Sequence, residues 1–225
     1  MNEGILTTLA IWTLPVVFAI TLHEVSHGWV ARLYGDHTAA RLGRLSLNPL
    51  RHVDPIGTLL VPAVCVFIGG IVFGWARPVP VVTANLRNPR ADMAKVAIAG
   101  PLSNLVMALL WGLVLRLSMG AQSGSIGELM MYMAAAGVAI NLILMVLNLF
   151  PLPPLDGSRV VNGFLPEKWA RIVDRVEPYG LVVLILLLMT GILGKLLWPL
   201  LLASQSLVLG LVGLGNSGLQ IFPGG

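Results

Sequence analysis

Five long apolar runs constrain the fold more than any other feature of this sequence. They cover residues 5–20, 56–74, 96–118, 129–150 and 180–214. Runs of this length are typical of helices that cross a membrane. The 225 residues are 56% hydrophobic and 11% charged, whereas soluble domains carry about 25% charged residues. The sequence therefore predicts an all-α polytopic membrane protein with about five to six transmembrane helices.

The ends and the cysteine content of the chain also restrict the interpretation. No basic residue precedes the first run and no small-residue cleavage site follows it, so we expect it to be a permanent span rather than a signal peptide. The single cysteine, Cys65, excludes an internal disulfide and a multi-cysteine metal site. No linker or repeat interrupts the chain, which predicts one domain over residues 1–225. Its motifs lie within about 4–178, and residues 179–225 read as generic transmembrane helices.

The basic residues are clustered, and their clusters predict the topology. Twelve of the fourteen Lys/Arg residues form three blocks. These blocks are Arg32, Arg41, Arg44 and Arg51; Arg77, Arg87, Arg90 and Lys95; and Arg159, Lys168, Arg171 and Arg175. Under the positive-inside rule, all three are cytoplasmic loops of a plasma-membrane protein. The positive net charge is therefore explained by basic residues in cytoplasmic loops. We expect the lipid bilayer, not nucleic acid, to be the partner of the chain.

This topology brings two distant segments to the same side of the membrane. The N-terminus lies outside, and a first span at about 4–31 carries HEVSH towards the cytoplasm. Residues 96–118 run outwards, and residues 129–150 return to deliver PLPPLDGSR to the cytoplasmic side. One outward span and a less regular pass follow residue 180.

The run at 56–74 allows two interpretations, because basic blocks flank it on both sides. A membrane re-entrant hairpin or a short β element around 56–82, bent at Pro62 and Gly69-Gly70, keeps both blocks inside. The alternative is an ordinary span with one misplaced loop.

The most specific motif is HEVSH at 23–27. On a helix, His23 and His27 are four residues apart and share one face, so they can bind one ion together. Glu24 lies beside them without being a ligand. H-E-x-x-H on a helix indicates a Zn²⁺ site in which the glutamate is the general base. Ionisable groups within a membrane span are functional by default.

A catalytic zinc needs a third protein ligand, and Asp156 is the best candidate. Three prolines in NLFPLPPLDG end a regular helix just before it, on the same side of the membrane as HEVSH. The alternative role of Asp156 is an N-cap for a following helix. His37 reads as a solvated loop residue. We expect His52 and Asp54 to form hydrogen bonds that support the metal ligands or to cap the following segment, rather than to be ligands themselves.

These motifs together resemble the site-2 protease family of intramembrane zinc metalloproteases. HEVSHG at 23–28 and LDG at 155–157 carry the resemblance. HVDPIGT at 52–58, FGWARPVPV at 73–81 and AGPLSN at 99–104 extend it. It covers most of the chain up to about residue 180, and the chain resembles the short bacterial branch that lacks PDZ and CBS domains.

The resemblance implies roles for individual residues. His23, His27 and Asp156 match the zinc ligands, and Glu24 matches the catalytic base. Gly100 and Asn104 match an element placed near the substrate, and Asn148 matches a residue proposed to hold the substrate or the oxyanion. From the residues alone, Asn104, Asn148 and Asn141 also fit interhelical hydrogen bonds, because an amide in lipid must find partners.

If the RPVPV stretch at 77–81 is a strand, it can pair along one of its two edges and not along the other. Pro78 and Pro80 lack N–H groups, so Val79 and Val81 present the pairing edge. A substrate could add to that edge by β-augmentation. The alternative is a plain extended loop.

The sequence therefore predicts a zinc metalloendopeptidase that cleaves within or near transmembrane segments of membrane protein substrates. Its active site faces the cytoplasmic side. The alternative function is a non-proteolytic zinc-binding membrane protein, either a carrier or a pseudoprotease, which would have no need of a base at Glu24. The sequence does not specify an oligomeric state.

Overall fold

The structure is a computed structural model that describes residues 2–52, 54, 57, 60, 77–120 and 124–222. The re-entrant segment predicted around 56–74 therefore lies outside the described residues, apart from Gly57 and Leu60. The α-helices of the described residues are α1 (Asn2–Leu33), α2 (Thr38–Arg41), α3 (Pro89–Gly120), α4 (Ser125–Asn148), α5 (Asp156–Phe164), α6 (Glu167–Val176), α7 (Gly180–Met189) and α8 (Ile192–Leu211).

Among the described residues, four helices are long and apolar enough to cross a membrane. They are Thr7–Leu33 within α1, α3, Ile126–Asn148 within α4, and α8. The prediction of an all-α polytopic membrane protein is confirmed. Helix α7 has ten residues, which is about 15 Å of helix against a hydrocarbon core of about 30 Å. It ends because Gly191 adopts a left-handed conformation with φ of 71° before α8 begins.

Helix α3 lies at the centre of the fold and packs against α1, α4 and α5. Small residues on its buried face, among them Ala97, Gly100 and Ala108, allow this close packing. The largest apolar cluster joins α3, α4 and α8 through residues such as Ala108, Leu142 and Leu201. Helix α1, which carries HEVSH, packs against α3 and α4.

The C-terminal residues fold back onto the helices instead of extending away. The Oε1 atom of Gln205 in α8 accepts the backbone N–H groups of Ile221 and Phe222 at 2.9 and 2.6 Å. A guanidinium nitrogen of Arg116 donates to the carbonyl of Val212 at 2.9 Å. Each of these polar groups is therefore satisfied within the protein, as the membrane interior requires.

Residues 77–82 are extended and lie beside the C-terminal half of α1, and no strand pairs with them in the described part of the chain. Asp36 fixes the far end of this segment, because its Oδ2 accepts the N–H of Val82 at 2.6 Å. Burial by itself would raise the pKa of Asp36. Hydrogen bonds from Thr38, Asn85 and Val82 outweigh that effect, so the pKa lies below its ordinary value.

Candidate metal centre

The two histidines of HEVSH lie on one face of α1, as their spacing predicts. Their Nε2 atoms are 3.0 Å apart, and their rings meet edge to face with centroids 4.7 Å apart. Both side chains are buried between α1, α3 and α5. Helix geometry alone therefore brings two imidazole nitrogens to a common point.

Asp156 is the first residue of α5, and it reaches the same point. Its Oδ2 lies 3.2 Å from Nε2 of His23 and 3.3 Å from Nε2 of His27. Gly157 makes this approach possible, because a Cβ there would lie 2.2 Å from the carbonyl oxygen of Leu149 at the end of α4. The first turn of α5 therefore packs directly on the last turn of α4. As expected, the prolines between the two helices end the regular structure.

The outer nitrogen of each histidine contacts an acceptor, which defines the tautomers. Nδ1 of His27 lies 2.7 Å from the carbonyl oxygen of Val96, which can only accept, so Nδ1 carries the proton. Nδ1 of His23 lies 2.6 Å from Oδ1 of Asn104. The Nδ2 of Asn104 donates to Oδ1 of Asn141 at 2.9 Å and to the carbonyl of Ala19 at 3.2 Å, which sets the orientation of its amide. In the neutral state, both Nε2 atoms therefore present lone pairs.

The three inward atoms fit a bound cation. Oδ2 of Asp156 is buried and has no hydrogen-bond donor, and the Nε2 atoms beside it carry no proton when the rings are neutral. Such a convergence of acceptors is unfavourable unless a positive charge lies between them. Two imidazole nitrogens and one carboxylate oxygen are a donor set of catalytic zinc, which leaves the fourth position open. Among the described residues, this is the only group of three or more His, Cys, Asp and Glu side chains with metal-ligand spacing.

Gly100 of α3 provides the space for this centre. A Cβ at residue 100 would lie 2.4 Å from Nε2 of His27 and 2.6 Å from Cε1 of His23. Any larger residue would therefore occupy the volume in which the two rings meet. The structure thus brings Gly100 and Asn104, one helical turn apart, directly against the histidines.

Glu24 lies next to the centre but is not a member of the ligand cluster. Its half-buried carboxylate accepts the backbone N–H of Val79 through Oε2 at 2.7 Å. Val79 is therefore in contact with the predicted base, and its N–H is already bonded. Val81 follows Pro80 along the same extended segment.

The remaining predicted residues form hydrogen bonds to other groups. Nδ2 of Asn148 donates to the carbonyl of Leu144 in its own helix at 2.9 Å. His52 is buried, and its Nε2 contacts the carbonyl of Ser46 at 2.8 Å. Asp54 accepts the N–H of Gly57 at 2.7 Å. His52 and Asp54 thus stabilise the loop that leads into the segment outside the described residues.

Two contacts that orient the histidines were not predicted from the sequence. The carbonyl of Val96 orients His27, and no side-chain pattern could reveal a backbone acceptor. Asn141 fits an interhelical hydrogen bond by its sequence context, and it does bond to Asn104; what the sequence did not reveal is that Asn104 in turn contacts His23. Both asparagines are completely buried.

Known proteins are similar to this chain over most of its length. The model of peptidase family M50 matches residues 112–191. YwhC of Bacillus subtilis, whose name classes it as a zinc metalloprotease, is 37% identical over 204 residues, which are 87% of this chain and 88% of YwhC. Rip2 of Mycobacterium tuberculosis (strain H37Rv), also named as a zinc metalloprotease, is 30% identical over 78% of this chain and 65% of its own length. No solved structure matches the chain.

These similarities agree with the predicted enzyme class and with zinc as the cofactor, and they do not favour the non-proteolytic alternative. The high coverage of both chains in the YwhC comparison extends the likeness beyond the residues that the family model matches. The chain therefore belongs to peptidase family M50, the site-2 protease family of intramembrane zinc metalloproteases.

Proposed function

We propose that the chain is a zinc endopeptidase that cleaves peptide bonds within or near transmembrane segments of other membrane proteins. One observation carries this proposal. His23 Nε2, His27 Nε2 and Asp156 Oδ2 converge without protons between them in the neutral state, and Glu24 stands beside them on the same helix. The proposed metal ligands are His23, His27 and Asp156, and the proposed general base is Glu24.

The chemistry that zinc supplies in such a site is polarisation of the scissile carbonyl and a lowered pKa for the attacking water. The chain supplies the proton transfers. Glu24 takes a proton from the water as its oxygen attacks the carbonyl carbon, and gives that proton to the leaving amine as the C–N bond breaks. General acid–base catalysis of this kind is worth ~10²–10⁴-fold in rate.

A transmembrane substrate must unwind before it can react, because the carbonyl groups of a helix are bonded within it. We propose that the extended segment 77–82 compensates the groups that unwinding exposes. The N–H of Val79 is bonded to Glu24, so pairing would use the carbonyl of Val79 and the backbone of Val81. Asn148 could donate to the oxyanion only after releasing its bond to Leu144.

We further propose that the site faces the cytoplasm from the plasma membrane, because the basic blocks flank the segments that form it. Labelling of introduced cysteines in intact cells tests this, in a background where Cys65, the only native cysteine, is replaced by alanine. A membrane-impermeant maleimide is expected to label the variant Gly124→Cys and not Arg41→Cys. The reverse pattern would overturn the orientation.

The decisive test of the proposed function is Glu24→Gln in the full chain, reconstituted with a single-pass transmembrane peptide. Glutamine keeps an oxygen that can accept the N–H of Val79 but cannot take up a proton. We expect full zinc occupancy and a loss of cleavage of ~10²–10⁴-fold. The matched control is Glu167→Gln, which alters only an exposed ion pair with Arg171. Wild-type rates in Glu24→Gln would contradict the assignment of the base.

A further inference from the structure

A backbone segment lies unusually close to the face of α1 that carries Glu24. Gly28 is one turn after Glu24 on that face. A Cβ at residue 28 would lie 2.4 Å from Cδ2 of Leu45 and 2.7 Å from Cγ1 of Val79. The absence of a side chain at Gly28 therefore lets the segment around Val79 reach the carboxylate of Glu24.

The sequence of this segment isolates a single hydrogen-bond donor. Pro78 and Pro80 have no N–H groups, so Val79 supplies the only one among the three residues. The proline that follows also restricts Val79 to extended conformations. Its side chain is only 6% exposed, and its N–H donates to Oε2 of Glu24 at 2.7 Å. A rigid and buried backbone amide is thus directed at one oxygen of the glutamate.

Arg44 holds the start of the same segment. One of its guanidinium nitrogens donates to the carbonyl oxygens of Arg77 and Pro78 at 2.9 and 3.3 Å. Its Nε atom is buried without a hydrogen-bond partner. Burial is the main reason that the pKa of Arg44 lies below its ordinary value. The charge of Arg77 adds to this, and the charge of Glu24 acts against it. The described hydrogen bonds of Arg44 are therefore to the two carbonyls that precede Val79.

We propose that Arg44 and the N–H of Val79 form a positioning device for the general base. Arg44 fixes the carbonyls before Val79, and the Val79 amide then holds Oε2 of Glu24 so that Oε1 is directed towards the proton of the attacking water. The inference rests on the proposed role of Glu24 and adds the residues that aim it. Arg44 itself touches neither the reacting atoms nor the three converging ligand atoms, so it is a positioning residue.

The first test compares Arg44→Gln with Arg41→Gln, which changes an exposed arginine at the end of α2. We expect Arg44→Gln to lower kcat by about 10- to 100-fold because the base loses its alignment. Zinc stoichiometry and the thermal unfolding midpoint should stay at wild-type values. Arg44 also holds the segment proposed to pair with substrate, so any rise in KM should be smaller than the fall in kcat. In Arg41→Gln, kcat, KM, zinc stoichiometry and the unfolding midpoint should all stay at wild-type values. Arg44→Lys, which keeps one donor for these carbonyls, should recover part of kcat.

The second test removes the Val79 donor without changing a side chain. Incorporation of the α-hydroxy analogue of valine at residue 79 replaces the N–H by an ester oxygen, and we expect the same loss of kcat as in Arg44→Gln. Hydrogen exchange gives a readout that is independent of activity. The Val79 amide should exchange slowly in the wild type and in Arg41→Gln, and rapidly in Arg44→Gln.

The outcomes separate this inference from the proposed function. Wild-type kcat in both Arg44→Gln and the ester variant, with Glu24→Gln inactive, would overturn the positioning device alone. A raised KM with unchanged kcat in Arg44→Gln would also overturn it, because Arg44 would then bind substrate. If Arg44→Gln fails to fold, the ester variant decides. The double variant Glu24→Gln/Arg44→Gln should be no slower than Glu24→Gln, and a further loss would contradict action through the base.

Discussion

Nδ1 of His23 and Oδ1 of Asn104 lie 2.6 Å apart between α1 and α3. This contact fixes the tautomer of the histidine and directs its Nε2 towards His27 and Asp156. The other end of the Asn104 amide is itself fixed by Asn141 and the carbonyl of Ala19. The buried amides of Asn104 in α3 and Asn141 in α4 therefore orient His23, one of the proposed metal ligands.

Replacement of Asn104 by leucine should weaken zinc binding about 10- to 100-fold, as is typical when the hydrogen-bond partner of a ligand is lost. Asn141→Leu should have a smaller effect, because Asn104 would keep its bond to Ala19. Equilibrium titration with a zinc-buffered chelator measures both. Asn148→Leu is the control, since the described hydrogen bond of that side chain lies within its own helix. Equal affinities in Asn104→Leu and the wild type would show that the contact does not tune the metal.

Asp156→Ala should lose stoichiometric zinc, because two histidines alone leave half of a tetrahedral site. The metal content of the purified full chain, measured by mass spectrometry, is the readout. Asp174→Ala serves as the control, since Asp174 is exposed and accepts a hydrogen bond from Asn162. Full zinc occupancy in Asp156→Ala would return His52 or Asp54 to candidacy as a ligand, and Nδ1 of His52 is buried without a partner.

The convergence of His23, His27 and Asp156 could be predicted from the sequence because two strong local rules meet there. Helical spacing brings His23 and His27 together, and the clusters of arginines predicted that Asp156 lies on the same side of the membrane. The path of residues 77–82 followed no such rule. Glu24 and Val79 are 55 positions apart, and their contact depends on a segment that runs beside α1 without regular secondary structure. The two prolines indicated an isolated amide, but nothing in the sequence indicated its acceptor.

The role of Asn104 was only partly visible for a similar reason. A buried amide in a membrane helix must form hydrogen bonds, and the sequence therefore favoured contacts between helices. Which helices pass close enough to form these hydrogen bonds depends on packing around small residues. The need for glycine at residue 100 becomes clear only when the two histidines are seen to lie against it.

Gly100→Ala should abolish zinc binding without unfolding the protein. The added Cβ would lie 2.4 Å from Nε2 of His27, so the rings must separate and the three ligand atoms can no longer converge. Zinc content and the circular dichroism of the helices are the two measurements. Gly194→Ala is the matched control, because a Cβ there meets nothing within 4 Å. Normal zinc content in Gly100→Ala would contradict the geometry of the centre.

Asp36 should make the stability of the loop beside α1 depend on pH. Its folded-state pKa lies below the ordinary value of 3.8. The ionised carboxylate therefore stabilises the protein fully above that value, and the contribution is lost as the pH falls through the lower folded-state pKa. Loss of this buried acceptor in Asp36→Asn should cost about 1–3 kcal/mol of unfolding free energy at neutral pH.

The difference in thermal unfolding midpoint between the wild type and Asp36→Asn should therefore be largest at neutral pH and shrink below pH 3.8. Comparing the two proteins at each pH removes the effect of zinc release in acid, which both share. Glu167→Gln, which alters an exposed ion pair, should show a small difference at neutral pH, as surface pairs contribute little. A difference for Asp36→Asn that stays constant down to about pH 2 would mean that the charge of Asp36 does not stabilise its bonds to Thr38, Asn85 and Val82.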